Sequence, residues 1–262
     1  EDTEREGLLY AGTEFGMYVS FDDGQHWEKF QYNLPRTPIT DIKVHQGDLV
    51  LSTMGRAFWI MDNLSPLRQA DAAMADGGAF LFQPEDAYRL RGGGGFGGFG
   101  GGTPDEPEYS RNGAELDYML PSAATSVKIE ILDAAGGLVR EFESTGPGER
   151  TETAQEMRAP FQRRVGSPTP TTHEGLNRFT WDFTVPGPNG AARGGPMVVP
   201  GNFTARLTVN GTAGQFTVVE RDFEVMMDPR VAVDGVTIAD LQAQFDLGIQ
   251  IRTAIEDADA TI

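Results

Sequence analysis

A chain of 262 residues with a formal charge of −18 and no cysteine has room for two domains of ordinary size, but it lacks the basic footprint that nucleic acid requires. Without thiols there are no disulfides, thiolate zinc sites or cysteine nucleophiles, and no stretch approaches the ~20 apolar residues of a membrane span. Apolar residues make up 39%, enough for modest cores, while 33 glycines and 16 prolines point to many turns.

Residues 7–62 read as β structure. Leu8–Thr13 and Gly16–Phe21 are two short strands, joined to a third at Trp27–Tyr32 by the turn Asp22-Asp23-Gly24. Glycine tolerates positive φ there, and aspartate bonds nearby amides. The pattern then restarts with Ile39–Val44, the turn Gln46-Gly47-Asp48, Leu49–Thr53 and Ala57–Met61. Short strands at this spacing with turn signals between them suit a propeller, and two such sets make about one and a half blades. Repeat units of this kind cannot bury their faces alone.

Ser65-Pro66-Leu67 breaks the strand pattern, and Ala79–Pro84 is expected as one more strand on the side of the first unit. The run Gly92–Gly102, which carries Phe96 and Phe99, reads as a flexible connection. No Lys-Ser/Thr follows it, so it is not read as a phosphate cradle.

Residues 114–228 read as a second all-β unit. Its strands are Glu115–Leu120, Val127–Leu132, Leu138–Phe142, Leu176–Asp182, Phe203–Val209 and Gln215–Val219. The turn Asp133–Gly137 makes one hairpin, and Asn210-Gly211 signals another. A polar, proline-rich excursion occupies Ser144–Glu174, and Trp181 is assigned to the core. Six strands over about a hundred residues make a sandwich. From Thr237 the period changes to helical, with Thr237 and Asp240 forming the cap. Ile238, Leu241, Phe245 and Ile249 share one face, and Leu247, Ile251 and Ile255 widen the apolar arc. So wide an arc implies contacts on two sides.

The run Ser20-Phe21-Asp22-Asp23-Gly24-Gln25-His26-Trp27 has the form S-x-D-x-G-x-x-W. It resembles the Asp-box hairpin of BNR-type β-propellers, the sialidase and sortilin-like Vps10 group. Leu9–Gly16, Leu34-Pro35, Pro38–Asp41 and Gly55–Asp62 extend that resemblance to residues 7–69 of a bacterial propeller protein. His26 stands where the box commonly has Ser or Thr, and Met54 where a His often precedes Gly-Arg-x-Phe-Trp. Residues 126–220 resemble the FlgD-like immunoglobulin-like sandwich that follows such propellers. That likeness rests on Ile131–Gly136, Gly175–Asp182 and Pro200-Gly201 before Phe203.

The expected architecture is all-β. Residues 1–69 are terminal propeller blades, 70–113 a connection, 114–228 the sandwich and 229–262 a C-terminal helix. The resemblance implies a structural Asp-box made by Ser20, Asp22, Gly24 and Trp27, with Asp22 and Ser20 bonding the turn backbone and Trp27 packing into the blade. It also implies an exported bacterial protein, extracellular or periplasmic. The chain starts at Glu1 without Met or a signal peptide, so it is expected to be a processed or truncated product.

Chemistry is sparse. A sialidase-type site needs an arginine cluster and paired acidic residues facing one pocket. The pocket candidates are Glu14, Tyr18, Arg56 and Asp62, drawn from too few blades to surround a substrate. Arg56 is more simply a charge over the Phe58–Trp59 pair. His26, His45 and His173 lie in different elements, without zinc spacing, and the acidic residues never form an EF-hand loop. No metal, cofactor or catalytic residue is assigned. The leading expectation is a non-enzymatic binding and assembly module. Its partner is the remaining blades of the same protein or another protein chain, with carbohydrate as a further class. The alternatives are part of a BNR-type glycoside hydrolase with its active site in other blades, and a structural accessory subunit of a large complex.

Overall fold

A computed structural model describes residues 1–90, 112–145, 169–191, 194–211 and 214–261. The glycine run with Phe96 and Phe99, and most of the 144–174 excursion, lie outside them. The chain is mostly β, with several sheets and a C-terminal helix. It divides into two compact units, Glu1–Ala75 and Asp76–Ile262.

The first unit holds two antiparallel three-stranded sheets. One is β1 (Leu9–Thr13), β2 (Gly16–Ser20) and β3 (Glu28–Lys29). The other is β4 (Ile39–His45), β5 (Asp48–Thr53) and β6 (Phe58–Met61). Period-two alternation puts Met17 and Val19 of β2, and Leu49 and Leu51 of β5, into one shared core with Leu8, Phe30, Leu34 and Leu64. Gly12 permits the close approach of β1 to β4, since a Cβ there would lie 2.7 Å from Cβ of Ile39. The expected strand at Trp27–Tyr32 shrinks to two residues, because Tyr32 turns to φ 38°. One further bond, from the Phe30 amide to the Met17 carbonyl (2.9 Å), carries the chain back to the core.

Two short helices follow, α1 (Ser65–Arg68) and α2 (Ala70–Asp76). They anchor the N-terminus. The Asp2 side chain is fully buried and meets Arg68 Nε at 3.0 Å, while Arg68 also reaches Glu4 at 2.9 Å. Burial alone would raise the Asp2 carboxyl. The amides of Glu4 and Arg5 and the Arg68 guanidinium outweigh it and hold the carboxyl below its ordinary range.

The second unit pairs a five-stranded with a three-stranded sheet across one core. Its strands are β7 (Phe80–Leu81), β8 (Ala87–Arg89), β9 (Ala114–Leu120), β10 (Ala124–Asp133), β11 (Leu138–Thr145), β12 (Gly175–Trp181), β13 (Gly201–Gly211) and β14 (Phe216–Met227). The orders are β11-β10-β13-β14-β8 and β12-β9-β7, with β8 parallel to β14 and the other pairs antiparallel. The strand foreseen at Ala79–Pro84 therefore pairs with β9 in this unit and not with the first sheets. The 70–113 segment supplies both β7 and β8. Trp181 is fully buried, with its ring 5.4 Å from that of Phe203 and 5.6 Å from that of Phe183.

The β10–β11 hairpin turns on Asp133, whose Oδ1 accepts from the amides of Ala135 (2.9 Å) and Gly137 (2.8 Å). The β13–β14 connection differs from expectation. Asn210 pairs directly with Phe216 and so stays in the strand, and the Gly211 amide still donates to the Gln215 carbonyl (2.8 Å). Asn210 Nδ2 is held by Ser126 Oγ on β10 at 2.8 Å, which draws it into the sheet.

Helix α3 (Pro229–Val233) leads to α4 (Ile238–Asp259). Thr237 and Asp240 form the expected capping box, with the Asp240 amide donating to Thr237 Oγ1 (3.2 Å) and the Thr237 amide to Asp240 Oδ2 (2.8 Å). Leu241 is buried, and Phe245 and Ile249 pack on the core of the unit. Gly248 admits Pro196, which would stand 2.7 Å from a Cβ at that position. No helix among the described residues is long and apolar enough to cross a membrane.

Candidate functional site

The S-x-D-x-G-x-x-W run forms the turn between β2 and β3. Ser20, buried at the end of β2, accepts from the Gly24 amide through Oγ (2.9 Å) and donates to Asp22 Oδ1 (2.9 Å). Asp22 Oδ1 also accepts from the His26 amide (2.8 Å), and Oδ2 meets His26 Nδ1 at 2.5 Å. The His26 amide, followed by the His26 ring and Ser20, lowers the Asp22 carboxyl to about 2. Asp23 and Gly24 take φ of 58° and 83°, and the Asp23 amide donates to the Gly7 carbonyl (3.0 Å). The apex is thus tied to the segment before β1. Every polar group named here is used to shape the turn.

Trp27 departs from expectation. It is 43% exposed, lies against Gly24, and donates its indole N–H to the Gly24 carbonyl at 3.0 Å. It closes the turn from outside and does not enter the core.

The second sheet repeats the device between β5 and β6. Thr53 Oγ1 accepts from the Arg56 amide (3.1 Å) and donates to the Ala57 carbonyl (2.7 Å). Trp59 donates its indole N–H to the Arg56 carbonyl at 2.8 Å. Arg56 therefore serves through its backbone. Among the described residues the cations seated over rings are Arg5, Arg36, Arg140 and Arg221, so the expected Arg56–aromatic contact is not made.

The four pocket candidates are scattered. Glu14 is exposed in the β1–β2 turn, and Tyr18 is in the middle of β2, 37% exposed, on the face opposite Met17 and Val19. Arg56 precedes β6 and Asp62 follows it, so a four-residue strand, roughly 13 Å long, separates them. A shallow depression of about 350 Å³ in the first unit is lined by Phe21, Glu28, Lys29, Phe30, Gln31 and Tyr32, among others, and includes none of the four. Among the described residues no group of three or more His, Cys, Asp or Glu is placed to hold a metal ion.

Charged side chains of the second unit that sequence reasoning passed over are engaged in the fold. Arg178 grips buried Asp117 through two bonds, 2.7 and 2.9 Å, across the β9–β12 pair. Arg140, 4% exposed, bonds Asp182, Thr184 and the Thr184 carbonyl.

Among the described residues β1, β3, β4 and β6 each end a sheet of the first unit, and the outer edge of β6 is the one that carries large exposed apolar side chains on successive outward residues. The Gln46-Gly47 turn, with φ of 51° and 82°, closes on the His45–Asp48 pair. Hydrogen-bonded pairs alternate from there, so Leu49 and Leu51 turn their backbone groups toward β6, where they meet Met61 and Trp59. The amides and carbonyls of Phe58 and Ile60 then point outward. Their side chains are 75% and 59% exposed. Among the described residues no strand pairs with this edge.

No family model matches the chain, and no curated protein matches it significantly. Among solved structures it is similar to the crystal structure of CopC from Methylosinus trichosporium OB3b, at 14% identity over 43% of this chain and 76% of that one. The TM-score is 0.23, too low to carry an argument about fold or function.

Proposed function

We propose that this chain is a non-enzymatic binding and assembly module of an exported bacterial protein, extracellular or periplasmic. In this reading the first unit is terminal blades of a BNR-type propeller, the second a FlgD-like immunoglobulin-like sandwich. Two three-stranded meanders, each with a tryptophan-closed turn before its last strand, support the blade assignment.

The observation that carries the functional reading is the outer edge of β6. A strand edge with outward amides beside exposed Phe58 and Ile60 is a template for a further strand. The partner is a β-strand segment, from the rest of the same polypeptide or from another protein chain. The scattered pocket candidates supply no paired acid and base for glycoside hydrolysis.

Photo-crosslinking tests this. A benzoylphenylalanine placed at position 60 in the producing cell is expected to yield an adduct whose tryptic peptides derive from a β-strand. No adduct in the producing cell, or hydrolysis of aryl glycosides by the purified chain, overturns the proposal.

A further inference from the structure

Helix α4 turns one apolar face to its own unit and, among the described residues, leaves a second one exposed. Leu241, Phe245 and Ile249 face inward. Leu247, Ile251 and Ile255 recur every four residues on another face, 57%, 53% and 43% exposed, with Ala254 and Ala258 exposed alongside. At 100° per residue these five side chains share one arc of about 100°. The arc spans three turns, about the length of an average helix in a globular protein.

Its border is acidic. Asp246 and Asp257 are exposed along one flank, while Asp259 beyond the other flank and Glu256 on the inward face hold Asn189. The one cation of this stretch, Arg252, is turned to the Pro186 carbonyl at 3.3 Å and stands 3.9 Å from Glu256. A second copy of the chain is therefore a poor occupant. Paired antiparallel about Ile251, two copies would set the Asp246 of each against the Asp257 flank of the other. Like charges at such flanks destabilise a helix pair. An anionic membrane surface is disfavoured on the same ground.

We infer that this stripe docks an amphipathic helix of another protein that carries an apolar seam between rows of lysine or arginine. The seam would cover Leu247, Ile251 and Ile255, and one basic row would face Asp246 and Asp257. This surface lies in the second unit and does not depend on the role assigned to β6.

The probe is a labelled 21-residue peptide with leucine at a and d positions and lysine at e and g, titrated into the full chain and followed by anisotropy. The control is a scrambled peptide of the same composition. The chain should bind the amphipathic peptide and not the scrambled one. Combining Leu247→Gln, Ile251→Gln and Ile255→Gln should weaken binding at least tenfold. Combining Asp246→Asn with Asp257→Asn should weaken it severalfold and flatten its salt dependence. All five positions are exposed, and circular dichroism checks that the variants keep their fold. Equal binding of the peptide by the parent and the triple variant overturns the inference. So does a parent dimer that the triple variant converts to monomer, because the occupant is then a second copy.

Discussion

Trp27 and Trp59 stand at matching places in two successive sheets. Each lies at the entry to the third strand, and each donates its indole N–H to the carbonyl three residues earlier, Gly24 at 3.0 Å and Arg56 at 2.8 Å. Backbone at positive φ lies inside both turns, at Asp23 and Gly24 in one and at Gly55 and Ala57 in the other. The two sheets are thus variants of one unit, although only the first carries the Ser20–Asp22 pair.

The two tryptophans should differ in weight. Trp59 is half-buried and packs on the core of its unit, while Trp27 is largely outside it. Trp59→Phe should cost about 1 kcal/mol, the worth of a net hydrogen bond. Trp27→Phe should cost less than about 0.5 kcal/mol, because water replaces the lost partner at an exposed site. The chain has three tryptophans, and Trp181 lies in the second unit. Urea titrations of the two variants followed by the remaining first-unit tryptophan give the comparison, and equal losses would refute it.

The Asp22 carboxyl makes the first turn acid-sensitive. Its folded value, about 2, lies below the ordinary 3.8. The unfolded chain binds the proton more readily, so this contribution is fully present above pH ~4 and fades as pH falls toward 2. Asp22→Asn should remove the pH dependence of the turn in that window. An NMR titration of the Asp22 carboxyl checks the midpoint directly, and a midpoint near 4 would show that the His26 contacts do not hold it.

Much of this was legible before the structure. Strands came through where alternation met turn residues, as at Gly16–Ser20 and Asp48–Thr53. The capping box came through because Thr237 and Asp240 act within one turn. What escaped was decided by distant neighbours. Helix α1 is four residues with proline in its first turn, too short to show a period. The pairing of Phe80–Leu81 depends on β9, more than thirty residues away. Asn210-Gly211 has the composition of a tight turn, but Ser126 on β10 and Phe216 across the ladder keep Asn210 in the strand. The pocket candidates share residue types suited to a sialidase-type site, and residue type carries no information on strand length. Strand length then placed Arg56 and Asp62 at opposite ends of β6.

The buried pair at the N-terminus should matter more than its position suggests. Asp2→Ala removes the carboxylate that meets Arg68, whose side chain is only 9% exposed. Breaking a buried pair by deleting one partner typically costs about 3–5 kcal/mol. The remaining contact of Arg68 with exposed Glu4 places the expected loss near about 3 kcal/mol. Because the Asp2 carboxyl is held below 3.8, the parent should also lose this contribution as pH falls through that range, and the variant should not. Thermal unfolding across pH 2–6 reads both effects. A loss below about 1 kcal/mol would mean that the segment before β1 contributes little to the first unit.

Gly248 carries the sharpest sign test. In an exposed helix interior, replacing glycine by alanine stabilises by about 1 kcal/mol. Here a Cβ would come within 2.7 Å of Cβ of Pro196. Pro196 cannot retreat easily, because its carbonyl accepts from the Val185 amide at 3.0 Å and a Cβ on neighbouring Gly195 would strike the Val185 carbonyl oxygen. Overpacking of this kind costs about 1–3 kcal/mol. Gly248→Ala should therefore leave the intrinsic helicity of an isolated 237–260 peptide higher while loosening α4 from its unit in the full chain. Faster amide exchange along Leu241–Ile249 in the full chain, together with greater helicity in the peptide, is the expected pair of results. Slower exchange in the full chain would mean that Pro196 gives way and that the glycine is not needed for docking.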